Sequence, residues 1–152
     1  MGEVFFYHLT RKPMEETLTM LLGKSLERGW RVAVRGTDAG RLDWLDQRLW
    51  LGDEAGFLPH GLAGGPHDAR QPVLLTTATE AANQPQCVIA IDGAVIAPEE
   101  PAALDRACLL FDGNDAQAVE QARDQWRKLK SGGCTAQYWS EESGRWEMKA
   151  ST

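Results

Sequence analysis

The stretch that decides the fold is VFFYHLTRKPMEETLTMLLGKSLERGWRVAV, residues 4–34. Val4 to Leu9 is a short, aromatic-rich run that predicts a strand packed on both faces. Pro13 is placed in the first turn of a helix, where its missing N–H would have no partner in any case. Met14, Thr17, Leu18, Leu21, Leu22 and Ser25 then fall on one face at helical spacing. Gly29 suits a left-handed cap for that helix. Trp30 to Val34 follow at once as a second strand. The three elements make a βαβ unit, for which a right-handed crossover is expected.

Beyond it, Leu42, Leu45 and Leu49 supply the buried stripe of a second helix from about Asp38 to Leu49. Trp50 finishes it, and Thr37 or Asp38 caps its start. Val73 to Thr76 and Val88 to Ile91 read as central strands and Ala107 to Phe111 as a further one. Between them, Glu80 to Gln84 holds no more than a helical turn, and Ala102 to Asp105 forms another turn. Asn114 or Asp115 can cap a helix running to about Lys130, with Val119, Ala122, Trp126 and Leu129 facing inward. Ser131-Gly-Gly133 breaks it. Thr135 to Ser140 makes a late strand, and Gly144 to Met148 adds a hairpin partner or a loose end. Alternating strands and helices predict an α/β fold, a mostly parallel sheet with helices on both faces in three layers. Residues 1–150 read as one domain.

Composition narrows the function classes. A chain of 152 residues with 43% apolar content can bury one real core. The net charge of -6 disfavours a broad nucleic-acid groove, because an acidic surface repels phosphate backbones. Cys87, Cys108 and Cys134 are odd in number and far apart, without CxxC spacing, so neither a zinc knuckle nor a disulfide framework is supported. Reduced thiols, no leader-like start and no apolar run of bilayer length lead to the expectation of a cytoplasmic protein with no membrane association.

Residues 52–72 differ from the rest, with five glycines and three prolines. Loops of this length are often functional or mobile. Phe57, Leu58 and Leu62 lie in it, either pinned onto the body or forming a protein-binding surface. His60 is read there as an anchor that holds the loop by hydrogen bonds. With His67 and His8 it makes only a weak metal signal, lacking cysteine partners or an HExxH helix.

The chemistry of nucleotide binding is missing. After the first strand the chain reads His8-Leu-Thr-Arg-Lys-Pro13, with no glycine where a pyrophosphate would need close backbone approach. No phosphate loop with its lysine occurs either, so the fold is Rossmann-like without a phosphate-binding loop and no cofactor is expected. Asp92 and Asp112 each end a predicted strand before a glycine. One reading is a paired-carboxylate Mg²⁺ site of a metal-dependent nucleotide or phosphoester enzyme. The other is a pair of ordinary Asp-Gly turns. No nucleophile-elbow context exists for a catalytic triad.

The strongest charge feature is the late helix, where Arg123, Arg127 and Lys130 recur at helical spacing beside Trp126, with Lys128 nearby. Such a patch can clamp a carboxylate-rich peptide, since arginine offers a fork to carboxylate oxygens. Cations near a helix C-terminus are also favoured by its dipole without any ligand. Direct high-affinity contact with nucleic acid is not expected of so short a patch.

These segments resemble the chi subunit family of bacterial DNA polymerase III over nearly the whole chain. Val4-Phe-Phe-Tyr-His-Leu9 and Gly29-Trp-Arg-Val-Ala-Val34 are similar to the family's first two strands. Arg41-Leu-Asp-Trp-Leu-Asp-Gln-Arg-Leu-Trp50 is similar to its next helix. Gly56-Phe-Leu-Pro-His-Gly-Leu-Ala-Gly64 is the most specific segment. Gln121-Ala-Arg-Asp-Gln-Trp-Arg-Lys-Leu-Lys130 matches as well, with Trp126 where the family has tyrosine. The resemblance implies a non-catalytic subunit of the replicative polymerase assembly, joined to the clamp loader, often through a small psi subunit. It also implies binding of the acidic C-terminal tail of single-stranded DNA-binding protein. By resemblance, Arg123, Trp126, Arg127 and Lys130 fall on the tail-binding region, and Phe57, Leu58, His60 and Leu62 on the psi or clamp-loader side.

Overall fold

The computed structural model describes residues 2–50 and 60–151. Its strands are β1 (Glu3–Leu9), β2 (Val32–Arg35), β3 (Gly61–Leu62), β4 (Val73–Thr76), β5 (Cys87–Ala90), β6 (Arg106–Asp112), β7 (Thr135–Ser140) and β8 (Glu147–Ser151). The α-helices are α1 (Met14–Glu27), α2 (Ala39–Trp50) and α3 (Ala116–Ser131). The strands form one sheet in the order β3-β4-β2-β5-β6-β1-β7-β8. Every pairing is parallel except the terminal β7–β8 hairpin.

Strand alternation divides the core in two. Along β1, Tyr7 and Leu9 join the cluster under α1 and α2, made with Leu18, Leu22, Leu42 and Leu45. Val4 and Phe6 point the other way, to the cluster under α3 with Ala122 and Leu129. From β1 the chain travels through α1 towards β2, while from β6 it travels through α3 in the opposite direction to β7. Right-handed crossovers running in opposite directions put their helices on opposite faces. The expected three-layer arrangement follows.

The opening unit differs from the expectation in one respect. β1 and β2 are parallel but not adjacent, because β5 and β6 lie between them. Those two strands are apolar on both faces, with Val88 and Ile89 in β5 and Leu109 and Leu110 in β6 all buried. They therefore occupy the middle of the sheet, where both sides are covered. β4 takes a place next to the edge rather than at the centre, covered on its outer side by the two-residue β3, which the glycine-rich stretch concealed.

Local boundaries follow the side chains. Thr17, Leu18, Leu21, Leu22 and Ser25 are the buried residues of α1. Pro13 stands just outside its first turn, at φ −58° and ψ 149°. Gly29, at φ +79°, makes the left-handed exit after Arg28. Asp38 caps α2 by accepting the Gly40 N–H at 2.9 Å. The hairpin partner of the late strand lies at Glu147–Ser151, slightly later than the sequence placed it. Arg35, 4% exposed, ends β2 with a fork onto both Glu100 oxygens at 2.7 and 3.0 Å and donates to the carbonyls of Thr79 and Val95. One guanidinium thus holds together the connections on either side of β5.

Candidate functional site

At the carboxyl ends of the strands lies a cleft of about 880 Å³, lined by Thr10, Lys12, Arg41, Asp92, Asp112 and Gln121 among others. This is where open α/β sheets hold ligands. The turn after β1 would be the phosphate position. Its three successive N–H groups, from Thr10, Arg11 and Lys12, converge instead on one oxygen of Glu141 at 3.0, 2.8 and 3.0 Å. Such a run of backbone donors is an anion-binding nest, and the protein's own carboxylate fills it. Burial pushes the Glu141 carboxyl up, but the N–H donors from Lys12, Arg11 and Thr10 outweigh it and hold the group below the usual carboxylate range. Arg11 fastens the same turn by donating from Nε and Nη2 to the Glu142 carbonyl.

The two aspartates at this edge are engaged locally. Asp92 (φ +52°) and Gly93 (φ +85°) form a tight turn, with the Ala94 N–H bonded to the Ile91 carbonyl. Arg41 forks onto Asp92 at 3.2 and 3.3 Å, and this bond raises the Arg41 pKa above its ordinary value. Asp112 accepts the Asn114 N–H at 2.9 Å. Among the described residues, no three His, Cys, Asp or Glu side chains are grouped so as to hold a metal ion.

The basic helix has a different character. Asp115 caps α3 by accepting the Gln117 N–H, and Ala122, Gln125 and Leu129 face the core. Gln125 accepts the Ile96 N–H at 3.0 Å, locking the helix to the β5–β6 connection. Arg123, Arg127 and Lys130 lie on the exposed side. Arg123 reaches Glu120 at 3.7 Å, and Lys128 reaches Asp124 at 3.1 Å. Arg127 and Lys130 have no ion pair or hydrogen bond from their side chains among the described residues.

Trp126 lies between that stripe and the sheet, half-buried. Its ring meets Phe6 edge-on at 5.3 Å and Tyr138 at 6.1 Å. Tyr138, also half-buried, comes from β7, directly opposite Phe6 in the β1–β7 register. Its hydroxyl lies 3.2 Å from His8 Nδ1, and the His8 ring stacks on Phe111 at 5.2 Å. Burial raises the Tyr138 pKa, with Arg123 opposing the shift and Glu142 adding to it. The helix stripe therefore borders an aromatic shelf that the sequence reading did not include beyond Trp126. The one signal for it was the alternation in β7 that sends Ala136 and Tyr138 to the α3 side.

On the far side of the sheet, Leu62 is exposed in β3. His60 is buried, with Nε2 at 3.2 Å from both the Asp46 carbonyl and its carboxylate. The imidazole is thus covered and bonded to α2. Phe57 and Leu58 lie outside the described residues. His60 and Leu62 thus lie on the α2 side of the sheet, opposite α3.

Comparison with known proteins places this architecture. A relative from Rickettsia prowazekii (strain Madrid E), described as probable DNA polymerase III subunit chi, is 24% identical over 97 residues. That stretch is 64% of this chain and 59% of the relative. Residues 1–137 match the family described as DNA polymerase III chi subunit, HolC, a span running from β1 through α3 into β7. The chain belongs to the DNA polymerase III chi subunit family.

Proposed function

We propose that this chain is a non-catalytic accessory subunit of the DNA polymerase III holoenzyme. In this reading it links the clamp-loader complex to the acidic C-terminal tail of single-stranded DNA-binding protein in the cytoplasm. The carrying observation is the α3 stripe. Arg123, Arg127 and Lys130 are exposed beside the half-buried Trp126, on a chain whose net charge is -6. A local cationic stripe on an acidic protein selects a compact acidic ligand over a long polyanion, which would meet repulsion on either side. The aspartates of the tail and its terminal carboxylate pair with the guanidinium and ammonium groups, and its apolar end rests on the aromatic shelf. Exposed pairs of this kind are weak and screened by salt. A strand coated with many tails offsets that weakness through effective concentration. The clamp-loader or psi contact is assigned to Phe57, Leu58, His60 and Leu62, of which Leu62 is exposed in β3.

The test is calorimetric titration with a synthetic peptide of consecutive aspartates ending in phenylalanine with a free carboxylate. One-to-one binding that weakens with salt and is lost in a folded Arg127→Ala variant is expected. A flat response from the wild type at low salt would refute the tail-binding reading.

A further inference from the structure

A second group of cations stands at the amino ends of the strands, away from both the cleft and α3. Arg106 opens β6, and its guanidinium lies over the Phe5 ring at 4.2 Å and over the Trp30 ring at 5.4 Å. Arg28, just past α1, lies over the same Trp30 ring at 4.9 Å. Trp30 and Arg106 are half-buried, and Arg28 is exposed. Contact with the rings accounts for where these guanidinium groups lie, but it leaves their charges unanswered. Among the described residues, neither side chain has an ion pair or hydrogen bond, and the buried Arg106 Nε has no partner at all. Glu3 is the in-register neighbour of Arg106 on β1, yet no ion pair joins the two. Other arginines of this fold are treated differently: Arg35 forks onto Glu100 and Arg41 onto Asp92. The Cys87 thiol, lowered chiefly by hydrogen bonding with Cys108, is lowered further by both Arg106 and Arg28, so the two charges act on one place.

We propose that Arg28 and Arg106, on either strand-end side of Trp30, form a binding site for a phosphate dianion, whether free phosphate or the phosphate group of a nucleotide. Two guanidinium groups against one ring repel each other, and a single ligand carrying two negative charges answers both. A carboxylate carries only one. A guanidinium stacked on a ring by its face keeps its edge N–H groups for a fork onto phosphate oxygens, and the stacking fixes its direction before the ligand arrives. The nearby helix end does not oppose the ligand with bare acceptors. The carbonyls of Lys24, Ser25 and Leu26 already take the N–H groups of Arg28, Gly29 and Trp30. The site shares no residue with the α3 stripe, so it stands or falls independently of tail binding.

Nuclear magnetic resonance of the indole N–H groups tests it, with the Trp30 signal assigned from a Trp30→Phe variant. The nitrogen-15-labelled protein is titrated at mildly alkaline pH, where phosphate is a dianion, with sodium phosphate, sodium acetate or a nucleoside monophosphate. Sodium chloride of matched ionic strength is the reference. Phosphate is expected to move the Trp30 signal saturably, and acetate to bind roughly tenfold more weakly because it has half the charge. Arg106→Met keeps the packing on Phe5 and Trp30 without the charge, and is expected to abolish the response. Arg28→Gln, at an exposed position, is expected to weaken it and keeps the test open should Arg106→Met not fold. Arg127→Ala on α3 is expected to leave it intact. Tighter binding of the nucleoside monophosphate than of phosphate makes a nucleotide the source, and equal binding makes the phosphate group alone sufficient; either upholds the site. No saturable movement of the Trp30 signal with phosphate, or one that survives undiminished in folded Arg28→Gln, would overturn it. Acetate binding as tightly as phosphate would overturn the assignment of a dianion.

Discussion

Replacing Glu141 by glutamine tests whether an internal anion holds the first turn of the fold. The perturbation is small in shape, since an amide oxygen can still accept, and it removes only the charge. One oxygen of Glu141 takes three N–H donors between 2.8 and 3.0 Å, and the residue is 3% exposed. Hydrogen bonds to a charged group contribute about 1.5–3 kcal/mol net, roughly twice the neutral value. Three bonds sharing one acceptor do not add in full, so Glu141→Gln is expected to cost about 2 kcal/mol at neutral pH. The pH dependence has a definite sign. The carboxyl titrates below its ordinary value, near 4.3 for an unfolded glutamate, because the backbone donors outweigh the effect of burial. Its contribution is therefore complete above the unfolded value and is lost as pH falls through the lowered folded one. Urea unfolding of wild type and variant, followed by tryptophan fluorescence at neutral and acidic pH, reads the difference. The remaining carboxylates titrate in both proteins and largely cancel. A neutral-pH gap below about 0.5 kcal/mol, the scale of an ordinary surface change, would refute the reasoning. A gap that persists undiminished into acid would refute it equally.

Two further outcomes follow from the same region. Glu141→Gly empties the nest of Thr10, Arg11 and Lys12 donors, so inorganic phosphate is expected to raise the melting temperature of that variant more than that of the wild type; equal shifts in a thermal scan would count against an anion site there. A Cβ at Gly113 would fall within the His8 ring, so Gly113→Ala is expected to cost about 1–3 kcal/mol by overpacking, with the loss largely relieved in a His8→Ala background when the two are compared by denaturant titration.

What the sequence makes legible is what short-range periodicity controls. The buried face of α1 emerged residue by residue because leucines and small polar residues recur at helical spacing, and Asn114 or Asp115 is marked as a cap by its position before an amphipathic run, Asp115 being the one that takes the Gln117 N–H. The insertion of β5 and β6 between β1 and β2 is a matter of pairing between distant segments, and no local pattern encodes it. β3 is two residues long, too short to show alternation. Glu141 is one of 22 acidic residues and lies far along the chain from the turn it caps, so nothing local singles it out. The cationic stripe was readable because its members lie on one helix. Tyr138 was not, because its meeting with Trp126 depends on the β1–β7 register and on where α3 crosses it. His60 is read from its loop as an anchor and by resemblance as part of the psi or clamp-loader side, and its buried ring lies 3.2 Å from Asp46, a partner fourteen residues away that no local pattern identifies.

The contrast between the crevice and the α3 flank explains why binding would move away from the position that α/β sheets ordinarily use. In the crevice, Arg41 is committed to Asp92, the N–H nest to Glu141, and Gln121 to the Gly93 carbonyl at 2.8 Å. A ligand entering there must first break pairs that already satisfy both partners, and a phosphate would in addition face the negative charge of Glu141. Among the described residues, the Arg127 and Lys130 side chains have no ion pair or hydrogen bond to give up, and Arg123 has an exposed pair with Glu120. Exposed ion pairs of that kind contribute about 0–1 kcal/mol, so a peptide carboxylate displaces it at little cost. The nearby rings then supply what the charges lack, apolar contact that salt does not screen. With the polar groups of the cleft paired among themselves and the α3 cations exposed, the proposed acidic chain would meet less competition on that flank than at the strand ends.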